Sequence, residues 1–129
     1  MKKLLITTAA LESGTGLLLI ALPSLLASLL LGAPLDTPVG LTVARIGGAA
    51  LLAIGAACWF ARLDGGSRAV RGLVCALLIY NVGATGVLVF AGLVLDLSGI
   101  GLWPAVAVHA VMTAWCIWSL RKTRDPRAS

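Results

Sequence analysis

The chain has 129 residues, 60% of them hydrophobic and only 12% charged, with a formal net charge of +5. Soluble domains carry about 25% charged residues, so this composition excludes water as the main solvent, and the length allows a single domain. The basic excess does not read as a nucleic-acid surface, because every Lys and Arg except Arg45 lies at a terminus or in the loop near residue 65.

A bilayer core about 30 Å thick takes about 20 apolar residues per helical span. Four runs meet that requirement, at residues 4–22, 39–61, 70–95 and 102–120. Lys2 and Lys3 precede the first. Arg62, Arg68 and Arg71 surround the second connection, and Arg121, Lys122, Arg124 and Arg127 follow the last. The loops around Asp36 and Asp96 contain no basic residue. By the positive-inside rule both termini and the Arg62–Arg71 loop are expected in the cytoplasm. The expectation is an all-α membrane protein, a four-transmembrane-helix bundle in a bacterial inner membrane, with its basic tail beside the headgroups of membrane lipids.

Met1-Lys2-Lys3 followed by Leu4-Leu5-Ile6 resembles the start of a secretory signal. Glu12 interrupts the apolar core such a signal needs, and the apolar stretch continues to Leu31. A retained first span is therefore expected. As one helix, residues 4–31 would measure about 42 Å, longer than a span requires. Proline is tolerated at a first helical position and poorly inside a helix. Pro23 therefore predicts an end to the first span near Leu22, then a short interfacial helix over 23–31 with Ser24 and Ser28 on one stripe. A single kinked or tilted helix is the alternative.

The Gly32–Pro38 stretch reads as an outer turn, Asp64-Gly65-Gly66-Ser67 as the inner turn and Ser98-Gly99-Ile100-Gly101 as the second outer turn. Trp59 and Trp118 fall at inner helix ends and Trp103 at an outer one, where interfacial tryptophans belong. The second run contains Gly47, Gly48, Ala49, Ala50, Ala53, Gly55, Ala56 and Ala57, and the third Gly83, Ala84 and Gly86. Close packing through small residues drives helix association in lipid, so these two spans are expected to make the tightest contact.

Each run carries one expensive polar residue: Glu12, Arg45, Asn81 and His109. A charged group at mid-bilayer costs about 2.5–3.5 kcal/mol on insertion scales, so polar residues in spans face the bundle interior or a water-filled cavity. Measured from the inner basic boundary, Glu12 lies about 13 Å deep, Asn81 about 15 Å, His109 about 18 Å and Arg45 about 25 Å. The first three share a layer near mid-membrane, with Arg45 nearer the outside. Thr8 and Thr15 share the face of Glu12, Thr85 that of Asn81, and Thr113 and Cys116 that of His109.

Glu12 reads either as a proton-titrating or cation-binding carboxylate or as a residue that fixes helix register. His109 is a helix-to-helix hydrogen bond or, with Glu12, a proton relay. Asn81 reads as interhelical glue or a ligand contact. Arg45 binds an anionic group or snorkels to the outer interface. Glu12, Asn81, His109, Arg45, Thr15, Thr85 and Thr113 are thus the candidates for ligand binding or proton relay, with no catalytic residue among them. One histidine is too few for paired haem ligation. Cys58, Cys75 and Cys116 fall on three helices without a metal-type pair and read as buried thiols. No cofactor or metal is expected, and no nucleophile elbow or phosphate loop occurs.

Arg45-Ile46-Gly47-Gly48-Ala49-Ala50-Leu51-Leu52-Ala53-Ile54-Gly55 resembles the second helix of DoxX-like small bacterial membrane proteins. That resemblance implies a four-helix protein, often an accessory subunit. Thr8-Ala9-Ala10-Leu11-Glu12-Ser13-Gly14-Thr15 is similar to the first helix of the small multidrug resistance transporters, which implies an essential glutamate at Glu12. The second and third helices here are built of Ala, Gly and Leu rather than that family's aromatic lining. The expected function is non-enzymatic: binding of a hydrophobic or lipid-like small molecule, or service as an accessory subunit of a membrane complex, through the polar layer. The alternative is a small proton-coupled transporter using Glu12 and His109, as a homo-oligomer.

Overall fold

A computed structural model describes residues 1–122. Within them the chain forms five helices: α1 Lys2–Ala21, α2 Pro23–Leu31, α3 Pro38–Ala61, α4 Arg68–Leu93 and α5 Leu102–Lys122. No strand occurs among the described residues. All but α2 are long and apolar enough to cross a bilayer. Arg124 and Arg127, read above as part of the basic tail, lie outside the described residues.

The break between α1 and α2 falls at Leu22, whose φ of −132° and ψ of 56° are not helical. Pro23 then occupies the first helical position, where its missing N–H costs nothing. The alternative of one kinked helix over 4–31 does not form. The α2 helix ends on Gly32 in the left-handed region (φ 79°), the conformation glycine adopts without a Cβ penalty. Thr37 caps α3 by accepting from the Gly40 N–H, and Ser67 caps α4 by accepting from Val70.

The helices pack as two tight antiparallel pairs, α1 with α3 and α4 with α5. This corrects the expectation that α3 and α4 make the tightest contact. The small residues of α3 meet α1 instead. A methyl placed on Gly16 would lie 2.7 Å from the Gly48 carbonyl oxygen and 2.8 Å from the Leu52 nitrogen. One on Gly48 would lie 2.7 Å from the Gly16 oxygen. Gly83 and Gly86 of α4 have no neighbour within 4 Å of such a methyl and face outward.

The two pairs meet across a core in the half of the bundle that holds the start of α1 and the end of α5. Leu4, Leu5 and Ala9 of α1 pack there with Cys58, Val70, Val74, Leu77, Met112 and Cys116. In the opposite half the pairs are bridged by α2, which touches α1, α3 and α5. The loop before α5 locks onto α2: the Gly101 N–H donates to the Leu29 carbonyl at 2.7 Å. Gly99 lies so close to the Leu29 and Leu30 backbone that no side chain fits there. Cys58 and Cys116 are buried free thiols, but Cys75 is exposed, against the expectation of three buried ones.

A polar floor beneath an apolar cavity

Burial of Leu4, Leu5, Thr8, Ala9, Glu12 and Gly16, at spacings of three and four, makes one face of α1 an interior face. Glu12 therefore points into the bundle interior, where it is buried. On α4, Val70, Val74, Leu77 and Asn81 share the corresponding interior face. These two faces and α5 bring four polar side chains together at the top of the packed core.

The Tyr80 hydroxyl donates to Glu12 Oε2 at 3.2 Å, tying α4 to α1. The rings of Tyr80 and His109 meet edge to face, with centroids 5.6 Å apart. Asn81 Nδ2 donates to the Leu77 carbonyl at 2.8 Å, which leaves Oδ1 as an acceptor. His109 Nδ1 lies 2.9 Å from that Oδ1. Two acceptors cannot share a hydrogen bond, so Nδ1 carries the proton. In the neutral ring Nε2 is then a bare acceptor.

The sequence-selected residues divide into two groups. Glu12, Thr15, Asn81 and His109 line one cavity of about 460 Å³. Asn81 and His109 bond each other, whereas Glu12 reaches them only through Tyr80. Thr85 and Thr113 turn away: their hydroxyls donate back to the carbonyls of Asn81 and His109 at 2.7 and 2.9 Å. Arg45 is outside the cluster altogether. It is exposed, and its Nε donates to the Ile20 carbonyl at 3.3 Å. Ile20 lies in the last turn of α1, where carbonyls lack helical partners and a cation complements the dipole. Arg45 thus caps α1.

Tyr80 completes the cluster and was not anticipated. It is the chain's single tyrosine, and its position beside Asn81, deep within a span, is its one signal. Interfacial tyrosines sit at span ends, so a mid-span hydroxyl calls for an internal partner. Thr8, one turn below Glu12, is fully buried, and its Oγ1 has no hydrogen-bond partner among the described residues.

Above this polar floor the cavity is apolar. Leu19 and Leu51 form one wall, and Ala84, Leu88 and Ala105 the other. Leu26 and Leu30 of α2 close the outer end. From Tyr80 to Leu88 the lining extends about 12 Å along the helix axis. Leu11, Val87 and Val108 belong to the lining yet are exposed, so the cavity opens sideways between the helices. Its volume falls in the usual range of small-molecule sites, about 300–1,000 Å³. Comparison of the chain with protein-family models, curated proteins and solved structures gives no match.

Proposed function

We propose that the chain is a multi-pass protein of the bacterial inner membrane, with both termini cytoplasmic, that binds a lipophilic small molecule in the outer-half cavity. One observation carries this reading: an apolar chamber open toward the lipid side ends on a small polar floor. Such a chamber suits an apolar body with one polar head. The floor selects the head. His109 Nε2 accepts, so the ligand supplies the donor, such as a hydroxyl. The reading is non-enzymatic, because the floor offers acceptors without a nucleophile oriented by a base.

Binding of a fluorinated alkylphenol to the purified protein in detergent, followed by ¹⁹F NMR, tests the proposal. The phenol is expected to bind about three- to tenfold tighter than its methyl ether, the worth of one net hydrogen bond. Leu88→Trp, which fills the chamber, is expected to abolish both. Equal binding of phenol and ether, or binding unchanged in Leu88→Trp, contradicts it.

The contact of Tyr80 with both Glu12 and His109 supports a second reading, a small proton-coupled transporter. On that reading Glu12→Gln abolishes proton-linked uptake in proteoliposomes while the fold persists. An accessory subunit of a larger complex would instead leave detergent extracts with stable partners, whether or not Glu12 is intact.

A further inference from the structure

A second, separate cavity of about 190 Å³ opens at the inner end of the α4–α5 seam. Arg71, Cys75 and Leu78 of α4 line it at helical spacings of four and three, opposite Ile117, Leu120 and Arg121 of α5. The two arginines stand at the inner boundary of their spans. From Arg71 to Leu78 the lining descends about 10 Å toward the bilayer centre. The cavity is thus cationic at the headgroup level and apolar below it.

Two other cations at this end are already engaged. The Arg62 guanidinium stacks 3.7 Å over the Trp59 ring and also donates to the Trp59 carbonyl. Lys122 lies 5.5 Å from the Trp118 ring centroid. Asp64, the sole acid at this end among the described residues, accepts from the Ser67 hydroxyl. It lines a different cavity with Met1, Lys2 and Arg62. The guanidinium groups of Arg71 and Arg121 have no side-chain partner among the described residues.

We propose that this seam holds one anionic phospholipid, its phosphate between Arg71 and Arg121 and an acyl chain against Cys75, Leu78 and Ile117. Guanidinium groups match phosphate oxygens in geometry as well as charge. Basic pockets between spans on the cytoplasmic side suit anionic headgroups. Free phosphate would use the arginines and leave the apolar descent uncovered, so the lipid is the occupant that uses both parts.

Native mass spectrometry of the full chain, released from nanodiscs of mixed phosphatidylglycerol and phosphatidylcholine, tests this. One retained phosphatidylglycerol per chain is expected. The double variant Arg71→Gln/Arg121→Gln is expected to retain it about 30-fold less, as two headgroup cations are lost. Lys2→Gln/Lys3→Gln, which removes equal charge nearby, is expected to retain it. Cys75 is exposed, so Cys75→Trp fills the groove without touching the core and is expected to expel the lipid with both arginines present. Retention in the arginine double variant, equal loss in the lysine variant, or retention in Cys75→Trp overturns the proposal. Displacement of the lipid by millimolar inorganic phosphate would show a soluble anion as the occupant and overturn it equally.

Discussion

At the scale of single residues, the polar floor depends on a side chain that cannot be replaced by shape alone. Asn81 donates one amide hydrogen to the Leu77 carbonyl and accepts from His109 through its oxygen. That division sets the histidine tautomer and hence what the cavity presents to a ligand. Asn81→Leu keeps the bulk and removes the link between α4 and α5. Interhelical hydrogen bonds in membranes average about 0.6 kcal/mol, and a loss near that size is expected in reversible unfolding from detergent micelles. An unchanged stability, with the His109 ring signals unmoved, would show that the bond does not form. The costly residues were legible from composition: Glu12, Asn81 and His109 stand out in runs of Leu, Ala and Val. Their network was not. Tyr80 is amphipathic and inconspicuous beside Asn81, and helical spacing could not tell that Thr85 and Thr113 bond their own helix. Arg45 was legible in depth, but its acceptor is the end of α1, which only the position of the break at Leu22 reveals.

At the scale of helices, the span boundaries follow from apolar run length, proline and the capping residues Thr37 and Ser67. The choice of helix partners does not. Both α3 and α4 are rich in glycine, and either could have offered a close-packing surface. What separates them is the run of small residues on α1, where Gly16 faces Gly48 and Ser13 and Ala9 face Gly55. The setting of Gly16 in Gly14-Thr15-Gly16 gives no hint of that role. The pairing predicts a contrast between two glycines. Gly16→Leu forces α1 from α3 and is expected to cost about 1–3 kcal/mol or more, as overpacking does. Gly83→Leu meets nothing within 4 Å and is expected to change stability by less than about 0.5 kcal/mol, as unconstrained surface positions do. Thermal unfolding of both variants in one detergent gives the comparison. Equal effects would point to an α3–α4 seam after all.

At the scale of the molecule, the bundle is asymmetric between its two halves. The half at the start of α1 is filled by Leu4, Leu5, Val70, Val74 and Leu77, whereas the half at the α1–α2 break encloses the cavity roofed by α2. The start of α1, the end of α5 and the Arg62–Arg68 connection share one end, and the α2–α3 and α4–α5 connections the other. In a variant lacking native cysteines, Asp36→Cys and Asp96→Cys are expected to react with an impermeant maleimide added to intact cells. Ser67→Cys is expected to react only after permeabilisation. The opposite pattern would reverse the proposed orientation. An expected orientation was readable in advance from the charge asymmetry, and the labelling tests it. The hollow half was not readable, because it arises from how far apart two helix pairs stand, which apolar periodicity does not encode. The account of ligand binding rests on a floor that accepts rather than donates, and the chain's single histidine makes that directly observable. The ¹⁵N spectrum of the imidazole, recorded at about pH 8 above the ordinary histidine range, should show the proton on Nδ1 and a bare Nε2. Addition of the alkylphenol should shift Nε2 alone. A proton resident on Nε2 would contradict the account.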